Sequence, residues 1–317
     1  SFDLRPLSPI QKMILEWPYE GAVSPGTIED SKAGDLCVPG FTVADVHGNP
    51  AVAQIKIFSD GNHHMALEAA CRRFLEIHPE AQDVFYMTAP ATTIRDAFES
   101  GLIRLGNLTL SVEPNIFVGP QKVVGPLHEA GKISEPRAFA QSRGLVLLIR
   151  KGNPCNITTV SDLLRDDVRV ACSNPTKEKS SFGVYSETLS NLARSEGGDD
   201  LADAMLKRLS DMSMPHSGRA HHREIPQLIA SDMADVAPIY YHLALRYTTI
   251  FPEQFEFIPL GGTKHDPRPG PEHKLITYFV SVVKENEGDW GDKFAEFMAS
   301  SEVADIYQAK GLKSLLQ

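Results

Sequence analysis

The chain has 317 residues, with 31 Lys and Arg against 41 Asp and Glu for a formal net charge of -10, and it is 42% hydrophobic and 23% charged. That balance belongs to a globular protein too long for one ordinary domain, so two lobes of roughly 100–150 residues, each with a real core, are expected. The acidic surplus argues against a nucleic-acid surface, which would need clustered Lys and Arg, and no apolar run reaches the roughly 20 residues that cross a bilayer.

The chain starts at Ser1 without an initiator Met or a signal-peptide pattern, which reads as a processed or trimmed chain. Residues 1–53, rich in Pro and Gly, show no sustained apolar period and read as an N-terminal extension. Regular structure then begins with a strand at Ile55–Phe58, running into the turn SDGN. Leu67, Ala70, Cys71, Phe74 and Leu75 follow at helical spacing and predict one apolar stripe facing a sheet. A strand at Val84–Met87, a helix opened by Thr92 and Thr93 and carrying Ile94, Ala97 and Phe98, and a strand at Ile116–Val118 repeat the unit. This alternation predicts an α/β lobe with a mainly parallel sheet.

Leu145–Ile149 opens a second set of units containing VSDLL, the strand VRVAC, a helix over 182–193 and a buried strand at Ala234–Tyr240. Leu275–Val283 reads as a β segment crossing back, and helices with Phe294, Phe297, Met298, Val303, Ile306 and Tyr307 complete the first lobe. The expected organisation is therefore an extension over 1–53, a first lobe of 54–143 with 275–317, and a second lobe of 144–274, joined by two crossing segments. Cys37, Cys71, Cys155 and Cys172 form no CxxC pair and read as buried small hydrophobes or as one disulfide rather than as zinc ligands.

Several segments, in order, carry a resemblance over about 54–317. They are KIFSDGNHHMALEAACRRF, TTIRDAFESG, NIFVGPQKVVGPLHEAGKI, SNPTKEKSSFGVYSETL, ADVAPIYYHLAL and FAEFMASSEVADIYQAKGL. Together they resemble the molybdate-binding kind of type II periplasmic solute-binding protein of ABC transporters. The resemblance implies two α/β lobes with central, mainly parallel sheets and a small oxyanion such as molybdate or tungstate held between them. It further implies a membrane permease as partner, a periplasmic or extracytoplasmic location, a monomer, no cofactor and no enzymatic activity. Carried over by position, Asn62 matches a first-helix hydroxyl position, Thr92 (or its neighbour Thr93) a second-helix one, Ser180 and Ser181 the start of the second-lobe helix, and Tyr240 a ligand-contacting Tyr. Read from the residues alone, Asn62, Thr92 and Ser181 are sooner helix caps than ligand contacts, and Tyr240 is sooner a core aromatic with a satisfied hydroxyl.

Backbone N–H groups and the dipole at helix starts favour an anion without any counter-ion. Asp60, His63 and His64 depart from the pattern, which has small or hydroxyl residues in this turn, and a carboxylate facing the site would repel a dianion. A second cluster, His216, His221, His222 and Arg223, precedes the helix that feeds the Ala234–Tyr240 strand, and His222 with Arg223 would donate to an anion. The alternative reading joins His63 and His64 with His221 and His222 around a transition metal, as in a metal-binding protein. A sensory ligand-binding protein and a His-based metallohydrolase remain as other classes, although GxSxG, HExxH and phosphate-loop motifs are all absent from the sequence.

Overall fold

The runs Ile55–Asp60 and Val84–Ala89 are almost continuously buried, as strands covered on both faces must be. A computed structural model describes Leu15 and residues 45–105, 108–218 and 221–316, so most of the stretch read as an extension lies outside the described residues. The chain divides into two units, the first containing 45–143 with 275–316 and the second Gly144–Lys274 with Leu15.

The first stretch runs β1 (Asp45–His47), β2 (Ile55–Asp60), α1 (His64–Ile77), β3 (Val84–Ala89), α2 (Ala91–Ser100), β4 (Ile103–Leu105), β5 (Leu108–Leu110), β6 (Ile116–Pro120), α3 (Gln121–Glu129) and β7 (Arg137–Gln141). The second unit holds β8 (Leu145–Arg150), α4 (Lys179–Gly197), α5 (Asp199–Ser210), α6 (His221–Ala230), β9 (Val236–Tyr240), α7 (Tyr241–Ile250) and β10 (Phe255–Pro259). The chain then returns with β11 (Thr277–Val282), α8 (Asp289–Met298), α9 (Ser301–Ala309) and β12 (Lys313–Ser314).

In the first unit the sheet order is β1-β3-β2-β6-β11-β7-β12. Its centre, β3-β2-β6, is parallel, as strand–helix alternation predicts. The returning β11 inserts antiparallel between β6 and β7, and β1, from within the stretch read as an extension, adds an antiparallel edge to β3. Strand alternation splits the core into two layers. Ile55, Ile57, Tyr86, Ile116, Val118 and Val280 face α1, α8 and α9, where Leu67, Ala70, Cys71 and Phe74 form the expected stripe. Phe58, Phe85, Met87 and Phe117 face α2 and α3 through Ile94, Ala97, Val123, Val124 and Leu127.

The second unit centres on β10-β8-β9, whose two pairings are antiparallel. The VRVAC segment, read as a strand, supplies parallel pairing only through the bridges Val170–Val236 and Cys172–His216. One reason is visible at its start, where the Arg169 N–H donates to the Asp235 carboxylate at 2.8 Å rather than to a strand carbonyl. Burial raises the Asp235 carboxyl, but hydrogen bonds from the Arg169 side chain and backbone and the nearby Arg150 charge outweigh it and hold it below the usual range. VSDLL forms a short 3-10 turn at Val160–Leu164 closed by a Thr159–Asp162 capping box. Cys71, Cys155 and Cys172 are free thiols, with burial pushing Cys172 up to about 12, and Cys37 lies outside the described residues.

Gly144 opens the second unit at φ +82°, and a Cβ there would lie 2.6 Å from His273 Nδ1. The space belongs to the imidazole, whose Nδ1 accepts from Leu145 N–H at 3.1 Å and whose Nε2–H donates to Leu260 O at 2.7 Å. Desolvation lowers the His273 pKa against the raising effects of the Leu260 hydrogen bond and Glu272. With the folded value depressed, the unfolded chain protonates first, so this contribution is full above pH about 6.5 and is lost as pH falls below that value. Thermal melts from pH 7.5 downward are expected to show a fall in Tm that is shallower in His273→Gln; an identical pH slope would contradict this role.

Candidate functional site

Because β3, β2 and β6 are parallel neighbours, their C-terminal ends share one edge of the sheet, and each leads into a helix within three residues. β2 ends at Asp60 before α1, β3 at Ala89 before α2, and β6 at Pro120 before α3. Pro90 and Pro120 hold the cap positions of α2 and α3 with extended ψ values of 143° and 162°, which stops the strand and starts the helix at once. No side chain caps α1, α2 or α3, and none has an acidic residue in its first turn. In α2 the first intrahelical bond is Ile94 N–H to Pro90 O at 3.0 Å, which leaves the amides of 91–93 directed out of the helix end.

Asn62 is half-buried in the β2–α1 turn, while Thr92 is exposed and Thr93 half-buried at the second and third positions of α2. Asp60, the residue at odds with an anion, is buried, and its carboxylate lies 3.0 Å from His63 Nε2. His63 is fully buried with its other nitrogen 2.8 Å from the Tyr307 hydroxyl, so both ring nitrogens are engaged. His64 Nδ1 lies 3.1 Å from Gly61 O.

In the second unit Ser180 and Ser181, both half-buried, are the second and third residues of α4, whose first turn has no acidic residue and no side-chain cap. Glu178, in the cap position, turns its buried carboxylate to the Ser217 hydroxyl and to the Asn174 N–H, 3.3 Å away. Tyr240 ends β9 and is 4% exposed, with its ring 5.5 Å from that of Tyr185 on α4 and stacked at 5.3 Å on His242. The fold thus brings Tyr240 and α4 together. Half-buried His222 is tied by its carbonyl to the Tyr247 hydroxyl, whereas the side chains of His221 and Arg223 lie outside the described residues.

His216, from the same cluster, sits between two carbonyls, Met214 O and Leu209 O, each 2.8 Å away. No group of three or more His, Cys, Asp or Glu suited to a metal occurs among the described residues. Sequence reasoning missed Tyr185, whose hydroxyl pKa is driven far upward by burial so that it stays a neutral donor, and the two prolines, whose position at strand ends was a readable signal. A concavity of about 530 Å³ elsewhere on the first unit is bordered by Glu135, Glu287, Asp292 and Glu296 beside Arg137, a wall that disfavours anions.

A family model for bacterial extracellular solute-binding proteins matches residues 55–313, and the chain belongs to that family. Membership implies a small solute and typically an ABC transporter permease as partner, and sets the chain among extracellular binding proteins rather than enzymes. The structure is similar to a periplasmic molybdate-binding protein from Azotobacter vinelandii (TM-score 0.58, 15% identity, 82% of this chain and 98% of that one). It is also similar to the sulfate-binding protein SubI from Mycobacterium tuberculosis H37Rv (TM-score 0.59, 17% identity, 82% and 86%). Peb3 from Campylobacter jejuni is a third (TM-score 0.55, 18% identity, 82% and 99%). These likenesses show the type II periplasmic-binding-protein fold. No curated protein sequence matches the chain. Among the described residues no helix is long and apolar enough to cross a membrane.

Since no side chain caps α2 or α4, Thr92→Ala and Ser181→Ala are expected to change unfolding free energy by no more than about 0.5 kcal/mol. Denaturant titration checks this; a loss of about 1–2 kcal/mol would mark these residues as helix caps after all.

Proposed function

We propose that this protein captures a small tetrahedral oxyanion, of the molybdate, tungstate or sulfate kind, outside the cytoplasm and delivers it as a monomer to an ABC transporter permease. One observation carries the reading: three neighbouring parallel strands open onto helix starts that have neither side-chain caps nor first-turn acids. Such ends attract negative charge through oriented N–H groups. The reading assigns Asn62, Thr92 and Thr93 as donors from the first unit and Ser180, Ser181 and Tyr240 from the second, with His222 and Arg223 as further donors. Neutral donors discriminate by geometry and protonation, because a protonated oxyanion presents a hydrogen where only donors face it. Sulfate and molybdate binding in proteins of similar fold supports the same ligand class.

Calorimetric titration of the protein with molybdate, tungstate, sulfate and phosphate, and then with zinc and copper, is expected to give saturable binding of an oxyanion and none of the metals. Thr92→Ala and Tyr240→Phe are expected to weaken it by roughly 3- to 10-fold each, the worth of one neutral hydrogen bond. Binding of a metal but no oxyanion would overturn the reading, and an unchanged affinity would remove that residue from the site.

A further inference from the structure

The fully or nearly buried polar chain Ser59, Asp60, His63 and Tyr307 lies directly beneath the β2–α1 turn. Its donors and acceptors can be assigned from geometry. The Ser59 hydroxyl donates to Asp60 O at 2.9 Å, so towards the ring it is an acceptor. His63 Nε2 lies 3.1 Å from Ser59 Oγ and 3.0 Å from Asp60 Oδ1; facing two acceptors, it carries the hydrogen. Nδ1 then accepts from the Tyr307 hydroxyl at 2.8 Å. Tyr307 comes from α9, 244 residues away, and the ring is walled by Tyr278 at 4.6 Å and Phe139 at 6.4 Å.

The alternative partner for Asp60 is close by. It stands three residues before the cap position of α1, a helix without a side-chain cap; Gly61 O and His63 O take the His64 and Ala66 N–H groups, which leaves Met65 N–H as the first-turn amide a carboxylate would favour. An Asp60 carboxylate released from His63 would compete for the amides that the oxyanion needs, or add an uncompensated negative charge beside it.

We infer that Tyr307 and His63 are positioning residues that withhold Asp60 from the α1 N-terminus, and that this sequestration sets affinity for doubly charged anions. The inference rests on the oxyanion reading and adds a residue outside the helix starts to it. The network acts on charge, so its removal weakens binding through the carboxylate rather than through general loosening. Deleting the carboxylate therefore restores what deleting the imidazole removes.

The test uses the full chain, tungstate as probe and calorimetry as readout, with thermal melts to establish that each variant is folded. His63→Ala is expected to weaken binding roughly tenfold or more, and Asp60→Asn in that background to restore it to within about threefold of wild type. Tyr307→Phe and its Asp60→Asn partner form a milder pair that carries the same comparison should His63→Ala not fold. Folded single variants with wild-type affinity, or double variants no tighter than the singles, would overturn the positioning role alone. A wild-type protein that binds no oxyanion would overturn the oxyanion reading and this inference with it.

Discussion

Parallel strands cannot be joined by tight turns, so each of β3, β2 and β6 sends its chain into a helix that begins at the same sheet edge. The first turn of every such helix leaves N–H groups that the helix itself does not use. A fold that gathers three helix starts along one edge therefore gathers oriented positive ends, and side-chain caps would be the ordinary way to quench them. Here α1, α2 and α3 have none, two of the cap positions being proline, which offers no capping group. The capacity to attract an anion follows from this one constraint of sheet topology.

The negative charges near these edges are managed locally. Asp60 turns to His63, and Glu178 to Ser217 and Asn174. Each carboxylate is buried, and each is held by donors rather than left to face the helix starts. Two like charges about 4 Å apart repel by several kcal/mol at an effective dielectric near 20, enough to decide whether a dianion stays. A chain with a net charge of -10 can thus keep an anion-attracting edge, because the field there is set by its nearest dipoles and charges.

Much of the first unit was legible because its periodicities are local. The α1 stripe and the strands around Ile57, Phe85 and Phe117 announce burial on both faces of one sheet. β7 and β10 were not legible: Arg137–Gln141 begins with two exposed residues, and Phe255–Pro259 owes its pairing to β8, more than 100 positions earlier. Spacing located Asn62, Thr92 and Ser181 at helix starts but carried no information on exposure, which separates Thr92 from its half-buried neighbour Thr93. Asp60 and His63 read as intruders in the turn, because their partner Tyr307 lies at the far end of the chain and only folding brings its hydroxyl to the imidazole.

In the proposed function, backbone amides at these helix starts hold the solute. Amide chemical shifts of the isotope-labelled protein, followed by NMR while tungstate is added, test it directly. The largest shifts are expected at the starts of α1, α2 and α3, on Met65, 91–93 and 121–123, and are expected to saturate together. Shifts that cluster instead around Glu287, Asp292 and Glu296, or that are spread without saturation, would contradict it.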